Sequence, residues 1–169
     1  MSDTVAILGA GAWGTALAAH LGRASRTTAI RLWARDASQS SAIESSRENA
    51  RYLPGVKLPP SVSVLGDLRR AVDGASLLVV ATPIGVLVDL VEKLRSSVDA
   101  PLLWVGTGFV ATADAAGVAL AHQRVASLWR SPVGVISGPS FAEEVARSSG
   151  PISRRPASAT AEQSFDAPR

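Results

Sequence analysis

The 169-residue sequence contains no cysteine. That excludes disulfides, thiolate metal ligands and cysteine nucleophiles, and leaves no sign of an oxidising compartment. Lysine is almost missing too: of 17 basic residues only Lys57 and Lys93 are lysines. Arginine does not deprotonate in a protein, so amine-base or Schiff-base chemistry has only those two side chains to draw on. The two histidines, His20 and His122, fall in predicted helices on apolar stretches. They have no neighbours suggestive of a metal site or a catalytic triad, and are read as structural or surface residues. Long apolar runs are lacking as well. The longest, LLVVATPIGVLVDLV, is broken by Pro83 and Asp89 and is too short to span a bilayer, so no membrane partner is expected. The start, MSDTVAIL, has no basic segment before its apolar run, which makes a secretory signal unexpected and the cytoplasm the default location. A net charge of +3, from 17 basic and 14 acidic residues, is too balanced to argue for nucleic-acid binding.

What is present is a folded-protein composition, 47% hydrophobic and 18% charged, in a chain of single-domain length. Strand and helix signals alternate along it. TVAIL is a short β-branched run that ends at glycines, and AWGTALAAHLGRA reads as a helix whose small residues permit close packing. AIRLWA is a second strand, followed by a helical stretch over 36–47. A Pro- and Gly-rich connection, RENARYLPGVKLPPSV, is neither helix nor central strand. VSVL is a weak third strand, DLRRAVDGA a short helix ended by Gly74, and SLLVVAT the strongest strand. Its continuous apolar run suits a strand covered on both faces. Next come a helix with Pro83 in its first turn, a strand PLLWVGTGF, a helix over about 113–128, a sixth strand PVGVISGP, and a last helix opened by Pro139 and Ser140. Such alternation predicts an α/β fold: a Rossmann-type doubly wound parallel sheet of order 3-2-1-4-5-6 over residues 1–147. Residues 148–169 are polar, contain three prolines and show no period, and are expected to form a disordered tail rather than a second domain. Trp33, Trp104 and Trp129 sit in or beside apolar runs and are expected in the core.

The stretch Gly9-Ala10-Gly11-Ala12-Trp13-Gly14 fits G-x-G-x-x-G, between a predicted strand and a predicted helix. Gly9 allows a tight turn, Gly11 lets a diphosphate lie against the backbone, and Gly14 lets helix pack on strand. The helix N-terminus then offers free N–H groups and positive dipole to the phosphates. At the end of the second strand, where ribose is bound in such folds, the sequence reads WARD. Asp36 could accept a bond from a ribose 2′-hydroxyl or simply cap the next helix. Arg35 could pair with a 2′-phosphate or lie in solvent. NAD(H) and NADP(H) both remain open, with a lean towards NADP(H). Gly138, Pro139 and Ser140, at the end of the sixth strand, could hold a second phosphate. Alternatively Ser140 is a helix cap and Glu143 a partner of the helix dipole.

Three stretches, GAGAWGTALA, NARYLPGVKLP and ISGPSFAEEVA, resemble in order and spacing the N-terminal half of bacterial NAD(P)-dependent glycerol-3-phosphate dehydrogenases, from about Val5 to Ala146. The resemblance implies a nicotinamide dinucleotide cofactor and reversible reduction of dihydroxyacetone phosphate to glycerol 3-phosphate for phospholipid synthesis. It implies cofactor contacts at Ala12, Trp13, Arg35, Tyr52 and Ala142, and substrate phosphate contacts at Gly138 and Ser140. Trp13, in a variable position of the motif, would cover the bound cofactor. Tyr52 and Leu53 could equally anchor a long loop.

Two departures accompany the likeness. Thr107 stands where the family usually has a lysine that touches substrate and cofactor. The helical domain that carries the catalytic lysine has no counterpart after Ala146, where the family-like sequence gives way to GPISRRPASATAEQ. A shifted or truncated reading frame near 148–151 would account for this. No catalytic residue and no metal ligand is therefore assigned. The reading is a dinucleotide-binding domain that is catalytically incomplete alone. Self-association is expected through apolar surface near Phe141 and Val145. The alternatives are a non-enzymatic or regulatory dinucleotide module working with a separate partner chain, and another oxidoreductase of the same superfamily.

Overall fold

The computed structural model describes residues 3–25, 27–106, 108–111, 118–137 and 141–148. Its centre is a six-stranded parallel sheet built from β1 (Thr4–Leu8), β2 (Ala29–Trp33), β3 (Val62–Leu65), β4 (Leu77–Val80), β5 (Leu102–Val105) and, last in the chain, β8 (Val133–Ile136). The strands lie in the order β3-β2-β1-β4-β5-β8, the expected doubly wound arrangement. The order reverses beside β1, which pairs with β2 on one side (Leu8 opposite Trp33) and with β4 on the other (Leu8 opposite Val80). All five β1 residues are buried, which is why TVAIL does not alternate in polarity.

Helices cover both faces, and each strand feeds both cores through alternating side chains. Ile7 belongs to one cluster with Ala16, Leu17 and Ala19 of α1 (Ala12–Ala24), Ile43 of α2 (Ala37–Ser46) and Ala146 of α6 (Ala142–Arg147). Ala6 and Leu8 belong to the other. Their neighbours there are Ala71 and Val72 of α3 (Leu68–Val72), Leu87 and Leu90 of α4 (Ile84–Leu94), and Ala121 and Val125 of α5 (Ala121–Leu128). Trp33, Trp104 and Trp129 are all buried. No helix among the described residues is long and apolar enough to cross a membrane.

The expected helix over 113–128 is not one helix. Residues 112–117 lie outside the description, and β6 (Phe109–Ala111) pairs antiparallel with β7 (Val118–Leu120) before α5 begins at Ala121. Gly117 weakens the expected helix, since glycine costs about 1 kcal/mol relative to alanine inside a helix. The ladder instead pairs Phe109, Val110 and Ala111 with Leu120, Ala119 and Val118. Helix α6 starts at Ala142 with Phe141 as its N-cap, two residues later than the Pro139–Ser140 start read from sequence. The tail expected over 148–169 lies outside the described residues apart from Ser148.

The Pro- and Gly-rich connection between α2 and β3 is tightly held. Arg47 closes α2 in the left-handed conformation (φ 56°), and its guanidinium donates to the carbonyls of Pro59 (2.7 Å) and Val62 (2.6 Å). Leu53, Val56 and Leu58 are buried in the α1-side cluster. A long polar loop becomes ordered here because three apolar side chains nail it to the core. Truncating Leu53 to alanine is expected to destabilise the domain by about 2–5 kcal/mol. Urea unfolding measures this, and a loss under about 1 kcal/mol would mean the loop can collapse onto the gap.

Candidate functional site

The C-terminal end of β1 meets α1 through the glycine turn. Gly9 has φ 118°, a conformation favourable only to glycine, and a methyl group there would lie 2.7 Å from the Ala81 carbonyl oxygen. A methyl group at Gly14 would lie 1.8 Å from the Gly9 carbonyl oxygen, so helix and turn touch backbone to backbone. Gly11 differs from both. It is the N-cap of α1 with ordinary extended angles, and a methyl group there would meet nothing within 4 Å. The protein's own packing requires glycine at 9 and 14, but not at 11. Among the described residues the N–H groups of Gly11, Ala12 and Trp13 have no backbone acceptor, as expected at a helix start.

A buried polar cluster holds the turn from behind. Asn49, 1% exposed, donates through Nδ2 to the Ala10 carbonyl (2.9 Å) and to Thr15 Oγ1 (2.7 Å). Thr15, fully buried, donates in turn to the Gly11 carbonyl (2.7 Å). Gln39 Nε2 reaches the same Ala10 carbonyl from α2 (3.0 Å). None of these three carries a signal of this role in the sequence, beyond the place of Asn49 at the start of the NARYLPG stretch.

Of the expected cofactor contacts Ala12, Trp13, Arg35, Tyr52 and Ala142, all but Arg35 line one cleft of about 540 Å³, with Leu53, Phe141, Glu143 and Glu144. Trp13 is half-buried at its wall. Tyr52 is held at the rim because its N–H and that of Leu53 both bond to the Asn49 carbonyl (3.2 and 2.8 Å). On the far side, Glu144 accepts from the Phe141 N–H (3.1 Å), and Glu143 and Glu144 both lie in the first turn of α6. Helix α6 is fastened to α1 by its carboxyl end. His20 Nδ1 lies 3.0 Å from the Ser148 carbonyl oxygen, and the Arg23 guanidinium donates to the Ala146 carbonyl. His20 is thus structural, and His122 lies exposed on α5. Phe141 is 75% exposed, as expected, but Val145 is partly buried against the α1-side cluster because α6 lies along α1.

At the end of β2, Asp36 caps α2. Its Oδ1 accepts from the N–H groups of Ser38 (2.7 Å) and Gln39 (3.2 Å) and from Ser38 Oγ (2.7 Å). These bonds, chiefly that from the Ser38 hydroxyl, hold its carboxyl below the ordinary aspartate range, with a smaller contribution from the Arg51 charge. Capping is therefore the role the geometry displays. Arg35 is exposed beside it, and the Arg51 guanidinium carbon sits 5.1 Å from the centre of the Tyr52 ring.

Beyond β4, the Thr82 hydroxyl is buried next to Gly9 and has no hydrogen-bond partner among the described residues. Thr107, Gly138 and Ser140 fall outside the described residues. Lys57 pairs with Glu48 (2.9 Å) on the far loop, and Lys93 sits in the last turn of α4. Neither lysine is at the carboxyl end of a strand. No cluster of metal-ligating side chains occurs among the described residues. A second cavity of about 660 Å³ lies between the α4–β5 and α5–β8 connections, at the opposite end of the sheet from the glycine turn.

Residues 4–153 match the protein family described as NAD-dependent glycerol-3-phosphate dehydrogenase N-terminus. A glycerol-3-phosphate dehydrogenase [NAD(P)+] of Variovorax paradoxus is 45% identical over 152 residues, covering 84% of this chain and 43% of the relative. One from Dechloromonas aromatica is 47% identical over 146 residues, covering 84% and 42%. The crystal structure of glycerol-3-phosphate dehydrogenase from Coxiella burnetii superposes with a TM-score of 0.76 at 31% identity, covering 86% of this chain and 43% of that one. The chain spans less than half the length of the relatives it matches.

Proposed function

As the chain belongs to the NAD-dependent glycerol-3-phosphate dehydrogenase N-terminal family, we propose that it is the dinucleotide-binding half of an enzyme interconverting dihydroxyacetone phosphate and glycerol 3-phosphate. The observation that carries this reading is Gly11. The fold has no packing reason for glycine there, and the open space beside it is where a diphosphate would lie against free N–H groups. The unpartnered Thr82 hydroxyl beside the turn also suits a polar ligand on this side of the sheet.

The bound nicotinamide would supply the hydride. This chain's own residues would bind and orient the dinucleotide. Gly11, Ala12 and Trp13 would donate N–H groups to the diphosphate. The Trp13 and Tyr52 side chains and Ala142 would exclude water from the cleft. Gly138 and Ser140 are proposed for the substrate phosphate. Thr107 cannot supply the cation that the resemblance leads one to expect, so a charge-assisted contact of about 1.5–3 kcal/mol would be lost there. Of the carboxylates that line the cleft, Glu144 is bonded to the Phe141 N–H and Glu143 is exposed, and the proton donor is assigned to the half of the enzyme that this chain does not match.

For cofactor choice, the Asp36 carboxylate already serves its helix, whereas Arg35 and Arg51 bring positive charge to the ribose end. This favours acceptance of the 2′-phosphate and hence of NADP(H) alongside NAD(H). Calorimetric titration with NADH and NADPH tests both levels of the reading. Both should bind, and Arg35→Ala should weaken NADPH by about tenfold or more while leaving NADH nearly unchanged. Failure of both dinucleotides to bind would end the proposal, failure of NADPH alone would end the reading of cofactor choice, and equal weakening of both would end the assignment of Arg35.

A further inference from the structure

We propose that Asn49, assisted by Gln39, is a positioning residue that sets the direction of the Gly11 N–H, the donor nearest to where a diphosphate would bind. This inference rests on the dinucleotide reading above. A trans peptide unit is planar, with its C=O and N–H on opposite sides. Fixing the Ala10 carbonyl therefore fixes the Gly11 N–H. Two side-chain amides from different segments converge on that carbonyl, Asn49 Nδ2 at 2.9 Å and Gln39 Nε2 at 3.0 Å. A carbonyl only accepts, so both contacts must be made by the NH₂ ends. The Gly11 N–H is thereby turned away from α2 and the following loop, and no acceptor occupies it among the described residues.

The rest of Asn49 ties this orientation to the rim of the cleft. The second Nδ2 hydrogen goes to Thr15 Oγ1, whose own proton goes to the Gly11 carbonyl (both 2.7 Å). The carbonyls of Ala10 and Gly11 are thus both committed to donors in the interior, and neither is left to face and repel an anion. The main-chain carbonyl of Asn49 accepts from the Tyr52 and Leu53 N–H groups. One buried residue therefore fixes the anion-binding turn and the loop that carries Tyr52 together. An unrestrained Ala10–Gly11 peptide could rotate and present its oxygen to the phosphates.

The test compares ADP, which carries the diphosphate, with adenosine, which does not, for the full chain and two variants. Asn49→Ser should weaken ADP by about tenfold, and Gln39→Met by about threefold, as expected for one or two orienting hydrogen bonds. Adenosine affinity, followed by NMR titration, should stay within about twofold in both, since stacking and ribose contacts do not depend on the peptide's direction. A purely structural role would move both ligands alike, and that result overturns the inference. Half-buried Gln39 keeps the test decisive if Asn49→Ser does not fold. An unchanged ratio of ADP to adenosine affinity in Gln39→Met overturns it as well. If the unmodified chain binds neither ADP nor NADH, the dinucleotide reading itself fails. Binding of ADP by the unmodified chain with a flat ratio in the variants removes only the role of Asn49 and Gln39.

Discussion

Replacing Gly14 by alanine is expected to remove a large share of the stability of this domain. The added methyl group would sit 1.8 Å from the Gly9 carbonyl oxygen and 3.3 Å from the Ala81 Cβ. The obstructing atom is backbone, so no side-chain rotation relieves the clash. Either the turn must open or α1 must move by more than an ångström. The turn is pinned by the Gly9 N–H bond to the Trp33 carbonyl (3.0 Å) and by the Ala81 N–H bond to the Leu8 carbonyl (2.8 Å). The helix is pinned on its buried face by Ala16, Leu17 and Ala19, and at its far end by the His20 and Arg23 bonds to α6. Overpacking a core usually costs about 1–3 kcal/mol where side chains can adjust, and here they cannot. A loss of about 3 kcal/mol or more is expected, a large share of the stability of an ordinary domain. Urea unfolding followed by circular dichroism measures it. An alanine variant with the unmodified midpoint would show that helix and turn are not in the contact described.

The sheet was legible in the sequence because its information is local and repeated. TVAIL, AIRLWA and LLVV are short apolar runs between glycines and amphipathic stretches, and the handedness of parallel crossovers leaves few ways to arrange them. Even the weak VSVL segment took its place, as the edge strand beyond β2. The stretch after β5 departs from the expected helix for a local reason too. Its alanines satisfy a helix as readily as a loop, whereas the pairing of Val110 with Ala119 depends on a partner that no periodicity announces. The same limit hid the most connected residues of the site. Asn49 and Gln39 both serve the Ala10 carbonyl, 39 and 29 positions away in the chain. Nothing in the pattern around a polar residue says which distant carbonyl it will find. Asp36 shows the converse. The sequence left capping and ribose binding open, and the bonds to Ser38 and Gln39 display the cap. The glycine motif alone gave three identical letters, and only the packing around each separates their roles.

That separation yields the second large effect. Gly11→Ala is expected to leave the fold almost unchanged and to abolish tight dinucleotide binding. Its angles, φ −82° and ψ −170°, are extended backbone that alanine adopts, and the new methyl group touches nothing within 4 Å. Alanine is a poorer N-cap than glycine, which costs roughly 0.5–1 kcal/mol. Its lower entropy in the unfolded chain returns about 0.4–1 kcal/mol. The urea midpoint should therefore stay close to that of the unmodified chain. In the proposed dinucleotide reading the ligand has no such latitude, because there the methyl group would enter the open space beside Gly11 assigned to the diphosphate. Losing two charge-assisted hydrogen bonds at about 1.5–3 kcal/mol each predicts a fall in NADH affinity of 100-fold or more. Calorimetry on the same sample used for unfolding reads both quantities. Unfolding of the alanine variant would mean that Gly11 is structural like its neighbours. A stable variant that still binds NADH at the unmodified affinity would place the diphosphate elsewhere, and would remove the observation on which the functional reading rests. Gly14→Ala loses its fold first, and Gly11→Ala should lose only its ligand. The contrast between the two distinguishes a glycine kept for packing from one kept for binding.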